Sequence, residues 1–161
     1  MPEPEGRVLI TVGGDLPEGN DAAPDPTKLG FFRYLEIEYE NGVAFDDAML
    51  AALPQSEIVT APYGEDTWGS YTGPALREVM RFVVAEGKTA LPTALDGYQV
   101  EISWDIIERY EPILGTHYNG VPVPLGQLGP ALIVFPPVDD AKLAEELEAL
   151  SGFAVVFIGV E

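Results

Sequence analysis

Short apolar segments bounded by turn residues recur along the chain, and most have the length of a strand rather than a helix. Between residues 31 and 39 apolar and polar positions alternate, which predicts a half-buried strand, and the Asn-Gly pair at 41–42 predicts a turn after it. The segments predicted as strands are residues 7–12, 31–39, 57–61, 89–95, 98–102, 131–135 and 153–160.

Apolar positions at helical spacing predict short helices between these strands. The predicted helices are residues 45–53 with Asp46 or Asp47 at the start, 74–86 ended by Gly87, 104–110, and a segment that Asp139 or Asp140 caps and Gly152 ends. The strands and helices interleave without a regular βαβ rhythm. We therefore expect an α+β domain with a mixed β-sheet and short helices.

Two irregular loops stand out, in addition to a polar tail at residues 1–6 that we expect to be flexible. Residues 13–30 are rich in Gly, Pro, Asp and Asn, and the length of this loop is typical of a functional or mobile segment. Residues 62–73 form a Gly-rich loop that carries Tyr63, Trp68 and Tyr71. These aromatic rings could stack on a planar ligand, anchor a partner, or fold inward over the core.

The composition limits the classes of function. The length of 161 residues indicates one domain over residues 1–161, without an apolar run long enough for a membrane span. Eight Lys and Arg against 27 Asp and Glu give a net charge of −19, which disfavours nucleic acids and anionic lipid surfaces. The absence of Cys excludes thiolate chemistry. The first residues lack the pattern of a signal peptide, so a cytoplasmic protein and the mature form of an exported protein both stay open.

Few side chains suggest chemistry. His117 is the only histidine and cannot build a triad or a usual metal site alone, so it either contacts a ligand or makes a structural hydrogen bond. Arg77 could recognise an anionic ligand, although pairing with nearby carboxylates is the default on a helix surface. Oxygen ligands for Ca²⁺ could come from the long loop, but their spacing fits no EF-hand; they are Asp15, Asn20, Asp21 and Asp25.

Residues 118–137, YNGVPVPLGQLGPALIVFPP, resemble the "NGxPLP…G.PxRlvvPg" stretch of the sulfite-oxidase-type molybdopterin-binding domain. Further segments resemble this family in the same order, over about residues 50–161, and the nearest match is a small bacterial subgroup of stand-alone domains; these segments are residues 71–79, 93–102, 113–124 and 129–136. The resemblance implies a sulfite-oxidase-like fold and a cofactor cleft bordered by His117 and Asn119. The predicted cofactor-binding residues are then His117, Asn119, Trp68, Tyr71 and Arg77.

The chain departs from the family where the cofactor would be held. It has no Cys to ligate molybdenum, and Leu132 stands where the catalytic members have an Arg. The sequence therefore favours a non-catalytic domain, not an active molybdenum oxidoreductase, that binds an unidentified small molecule or protein without a cofactor. One alternative is an oxidoreductase that holds a molybdopterin-type cofactor non-covalently. Another is a structural or exported protein that binds its partner through residues 62–73.

Overall fold

The computed structural model describes residues 1–21, 23–25, 27–61 and 67–161. Within these ranges the chain forms ten strands and five short helices. The strands are β1 (Val8–Gly14), β2 (Asn41–Asp46), β3 (Gln55–Thr60), β4 (Gly69–Pro74), β5 (Ala90–Ala94), β6 (Ile113–Gly115), β7 (His117–Tyr118), β8 (Val121–Pro122), β9 (Leu132–Val134) and β10 (Val155–Val160). The helices are α1 (Phe31–Tyr34), α2 (Asp47–Ala52), α3 (Leu76–Phe82), α4 (Trp104–Tyr110) and α5 (Ala141–Leu150).

The described strands form three sheets. The first has the order β2-β1-β10-β5, with β1 parallel to β10 and the other pairs antiparallel, so it is a mixed sheet. The second has the order β3-β4-β7-β8 and is antiparallel, and the third consists of β6 and β9. The predicted α+β class with a mixed sheet and short helices is confirmed.

Two hydrophobic cores hold these layers together. In the larger core, one face of the first sheet packs with the apolar side of α3, where Leu76, Val79 and Met80 are fully buried. The smaller core lies where the second and third sheets meet, and it consists of Ile58, Tyr71, Ile113, Val123, Leu132 and Val134. The apolar spacing that predicted α3 therefore reports its buried face correctly.

The prediction of a strand at residues 31–39 is wrong. The segment forms α1 and then folds over the outer face of the first sheet, where the rings of Phe32, Tyr39 and Phe157 contact one another. The predicted turn at 41–42 is also wrong, because both residues belong to β2. A Cβ on Gly42 would lie 2.5 Å from the ring of Tyr39, so this glycine is needed for ring packing rather than for a turn.

Asp46 ties the first residues of the chain to the fold. One carboxylate oxygen accepts hydrogen bonds from the backbone N–H of Glu5 and Gly6 at 2.8 and 2.7 Å. The other accepts from Met49 N–H at 2.8 Å and caps α2. These donors, with Gly6 and Met49 the largest contributors, lower the pKa of Asp46. Residues 5 and 6 are thus held by hydrogen bonds where a flexible tail is expected.

The remaining predicted boundaries shift in ways that have local causes. The long loop begins after Gly14 instead of at residue 13, because β1 continues beside β10. The helix predicted at 74–86 is limited to α3, since Pro74 completes β4 and the helix ends at Phe82. Residues 69–73, predicted as loop, form β4, and residues 98–102 make only isolated bridges to β5. The segments of α2, α4, α5, β3, β9 and β10 are predicted correctly to within a few residues.

Candidate functional site

The turn between β7 and β8 is fixed to the neighbouring strand by Asn119. Asn119 and Gly120 have φ of 48° and 81°, the left-handed conformation expected of an Asn-Gly turn. The Asn119 side-chain oxygen accepts a hydrogen bond from Ser70 N–H at 2.9 Å, and the backbone N–H of Asn119 donates to the Ser70 carbonyl at 2.8 Å. The side-chain oxygen of Asn119 is therefore engaged in holding the hairpin against β4.

Tyr71 in β4 and His117 in the neighbouring strand β7 have different surroundings. Tyr71 is 5% exposed, and its ring centroid lies 4.9 Å from that of Tyr118 in the smaller core. His117 is half-buried, and its Nδ1 lies 2.8 Å from the hydroxyl of Thr116, which is itself buried. Tyr71 is thus a core residue in this structure, and His117 makes a local hydrogen bond.

Arg77 lies on α3 and is paired with acids. Its guanidinium forms an ion pair with Glu111 and lies 3.5 Å from a carboxylate oxygen of Glu78. Its Nε atom is buried without a hydrogen-bond partner. Beside it is a pocket of about 370 Å³, here called the Arg77 pocket, which Glu111, Ile113 and residues 56–59 also line.

Trp68 is presented differently from the other predicted residues. Its side chain is 59% exposed and lies at the rim of a pocket of about 270 Å³, here called the Trp68 pocket. The walls of this pocket come from β3, from the chain that follows β9 and from α5; they include Thr60, Phe135, Pro136, Pro137, Leu147 and Glu148. Phe135 and Leu147 are buried in the larger core, so the apolar wall is held in place by core packing.

The Trp68 pocket and the Arg77 pocket lie along the same strand. Both are lined by residues of β3 and by Pro136 and Pro137. We call this combined surface the β3 groove: β3, Pro136 and Pro137, with Trp68 at one end and Arg77 at the other. β4 pairs with one long side of β3, and the described part of the chain places no strand on the other side.

The structure therefore separates the five predicted residues. His117, Asn119 and Tyr71 lie together on β4 and the β7–β8 hairpin, where they make hydrogen bonds or core contacts. Trp68 and Arg77 lie in the β3 groove. Tyr63 lies outside the described residues, as does the rest of 62–66. Sequence reasoning missed Pro136, Pro137 and Glu111, because only the folded chain brings them beside β3.

The described side chains offer little to an anionic or metal-bearing cofactor. Among residues 1–21, 23–25, 27–61 and 67–161 there is no group of three or more His, Asp or Glu arranged to hold a metal ion. Leu132, for which the resemblance implies an Arg in catalytic domains, is fully buried in the smaller core. Arg77 is neutralised by two carboxylates. These residues do not fit the phosphate of a pterin, which needs free cations or clustered N–H donors.

The acidic residues of the long loop also have structural partners. Asp15 pairs with Lys88 at 2.8 Å, and Asn20 accepts a hydrogen bond from Ala44 N–H at 2.7 Å. Asp21 accepts from the Tyr39 hydroxyl at 2.8 Å, while Asp25 accepts from Thr27. Burial and, secondarily, the Asp21 hydrogen bond raise the pKa of Tyr39. The four side chains considered for Ca²⁺ are thus directed to different partners.

The helices within the described ranges are all too short or too polar to cross a membrane. Comparison with known proteins adds no assignment, since no protein-family model matches the chain and no curated protein matches its sequence.

Proposed function

We propose that the chain is a non-catalytic binding domain that uses the Trp68 pocket. The observation that carries this proposal is the exposure of Trp68 beside a pocket with a fixed apolar wall. An exposed tryptophan next to such a wall is typical of an anchor for a bound group, because it offers a large contact area at low cost in side-chain entropy. The scaffold that we propose is sulfite-oxidase-like, and the ordered resemblance over residues 50–161 supports it.

The kind of group that the pocket takes follows from its size and charge. Its volume of about 270 Å³ lies just below the range for small-molecule sites, roughly 300–1,000 Å³, so it suits one apolar side chain or a fragment of similar size. Glu148 lines the pocket, and the whole chain carries a charge of −19. Both favour a ligand that combines an apolar part with a positive charge.

A pair of small probes tests the pocket directly. 3-Methylbutylamine and 3-methylbutanoic acid have the same apolar branch and opposite charges. In ¹H–¹⁵N spectra of labelled protein, we expect the amine to shift the Trp68 indole N–H and the backbone amides of Ala144 and Leu147, and the acid to shift them much less. Tyr98 is 63% exposed and lines none of the pockets described above, so Tyr98→Ala is the matched control for Trp68→Ala.

The amine should lose its effect in Trp68→Ala and keep it in Tyr98→Ala. Shifts centred on His117 and Asn119, or shifts that survive Trp68→Ala, would contradict the proposal. Its non-catalytic part is tested separately by metal analysis of protein made in a molybdenum-replete host. We expect no stoichiometric molybdenum, and a molybdenum-to-protein ratio near one would overturn this part.

A further inference from the structure

We propose that the partner of the β3 groove is an extended peptide segment with basic side chains, which adds to the second sheet as a strand beside β3. This inference rests on the proposed function, because it places one apolar side chain of the peptide in the Trp68 pocket. It goes further by assigning the backbone of β3 as the main recognition element. It also names the chemistry of the partner.

The direction of the β3 backbone groups follows from the hydrogen bonds of β4. The carbonyls of Ser70 and Thr72 accept from Asn119 N–H and Thr116 N–H at 2.8 and 2.9 Å, so they face β7. Successive residues of a strand direct their backbone groups to opposite sides, and those of Tyr71 therefore face β3. Ile58 is the residue opposite Tyr71. The N–H and C=O of Ile58 accordingly face β4.

The groups of the alternate residues then point out of the sheet. Glu57 and Val59 direct N–H and C=O away from β4, toward the side where the described chain places no strand. Both residues are exposed, and both line the Arg77 pocket. With respect to the described residues, two N–H donors and two carbonyl acceptors are thus available in the spacing that an added strand requires.

Apart from the charge of Glu57, the strand lacks the usual sequence features that protect a sheet edge. Its register with β4 runs over six residue pairs without a bulge. No Pro or Lys occurs between Gln55 and Thr60. Proteins normally blunt an edge strand with such features, because an unprotected edge pairs with other chains. An edge that is regular and flanked by a groove is the arrangement used for strand addition.

The charge of the surroundings selects the occupant. Glu57 is exposed on the strand, Glu148 lines the Trp68 pocket, and Arg77 is already paired with Glu78 and Glu111. A second copy of this chain would bring another −19 charge to the same surface, which disfavours pairing of two copies. A segment that alternates Lys or Arg with Val or Leu can pair with the outward backbone groups of β3 and complements the acidic surroundings.

The test uses synthetic peptides with the unaltered protein. The first peptide alternates lysine with valine and has leucine at its centre. Two further peptides have the same sequence with N-methyl groups on one or on the other set of alternate residues, which remove the backbone donors of that set and keep charge and side chains. A fourth peptide replaces lysine by glutamate. Only one set of backbone groups of an added strand faces β3. Loss of two hydrogen bonds is expected to weaken binding by about tenfold, so the peptide methylated on the set that faces β3 should bind about tenfold more weakly, and the peptide methylated on the other set should retain binding.

The location of binding is checked by amide hydrogen exchange. We expect the first peptide to slow exchange at Glu57 and Val59. Val59→Pro removes one outward donor without removing a bond to β4, and it should weaken this binding by about threefold or more. Val59→Ala keeps the donor and should retain binding, and a thermal melt of both variants controls for folding.

The outcomes separate this inference from the proposed function. Equal binding of the plain peptide and of both N-methyl peptides, with all binding lost in Trp68→Ala, overturns strand addition and leaves the Trp68 pocket as the binding site. Binding that is unaffected by Trp68→Ala contradicts the proposed function. Slow exchange at Glu57 and Val59 without peptide, together with a dimer in sedimentation, assigns the edge to a second copy and overturns the inference.

Discussion

At the scale of single residues, Leu132 shows how packing determines identity. It is fully buried in the smaller core, among Ile58, Tyr71 and Val134. A guanidinium at this position would be buried without water, which is costly unless the charge is paired. In this structure Leu132 is thus a core residue rather than a cofactor contact.

Leu132→Ala should lower the free energy of unfolding by about 2–5 kcal/mol, because it removes buried methyl groups and leaves a cavity. Leu132→Arg should be more destabilising still. Urea denaturation measures both, with Leu125→Ala as the control because Leu125 is 70% exposed. Equal stability of Leu132→Arg and the unaltered chain would show that position 132 opens to solvent, as it does not in this structure.

Asp46 makes the stability of the chain depend on pH, with stability lost toward acid. Because hydrogen bonds lower its pKa in the folded chain, it contributes stability above its ordinary pKa, and this contribution is lost as the pH falls through the lowered value. Asp46→Asn should therefore lower Tm at neutral pH. The difference in Tm from the unaltered chain should shrink in acid, below about pH 4. Asp139→Asn, at an exposed position, is the control. A difference in Tm that is constant with pH would contradict this role.

At the scale of elements, the β7–β8 hairpin depends on one turn residue. Asn119→Ala removes the side-chain hydrogen bond with Ser70 and places alanine, which disfavours positive φ, in the left-handed region. We expect a loss of about 1–2 kcal/mol in the free energy of unfolding. Asn119→Gly keeps the conformational freedom and should lose less.

Thermal denaturation shows whether Asn119→Ala is less stable than Asn119→Gly, and Val121→Ala, at an exposed position of the same hairpin, is the control. Both variants should bind the basic peptide as the unaltered chain does. Lost peptide binding at full stability would instead assign Asn119 to the ligand.

The elements differ in how well local sequence predicts them. Caps and turns such as Asp140 and Asn119–Gly120 act within a few residues, so α5 and the hairpin are predictable. β4 was not predicted, because its two glycines are typical of a loop and usually weaken strands. Gly73 is required there because a Cβ would strike the backbone of Leu114 in β6. Such contacts join distant parts of the chain, and local patterns do not contain them.

The candidate site follows the same rule. The sequence identified Trp68 as an aromatic residue in a Gly-rich segment but left open whether its ring is exposed or folded over the core. The β3 groove was not, because Pro136 and Pro137 reach β3 only through the packing of β9. Tyr71 had the same local signal as Trp68 and is buried. Tyr71 lies within β4 and Trp68 just before it, so the different surroundings of the two residues depend on where β4 begins and on which strands it pairs with.

At the scale of the whole molecule, the net charge of −19 acts on both stability and binding. Raising NaCl from about 0.02 M to about 0.5 M screens repulsion between the carboxylates and should raise Tm. The same change should weaken binding of the lysine peptide, because it screens the attraction. Calorimetry and a peptide titration over one salt series measure the two opposite trends. A peptide affinity that does not change with salt would argue against electrostatic selection.

The free edge of β3 also has a consequence for solubility. At neutral pH the carboxylates keep copies of the chain apart, so an edge without Pro, Lys or a bulge is tolerated. Near the isoelectric point of about 4.1 this repulsion disappears while the backbone groups of Glu57 and Val59 remain directed outward. We therefore expect edge-to-edge aggregation, if the chain is acidified to this pH, to begin at the strand that we assign to recognition.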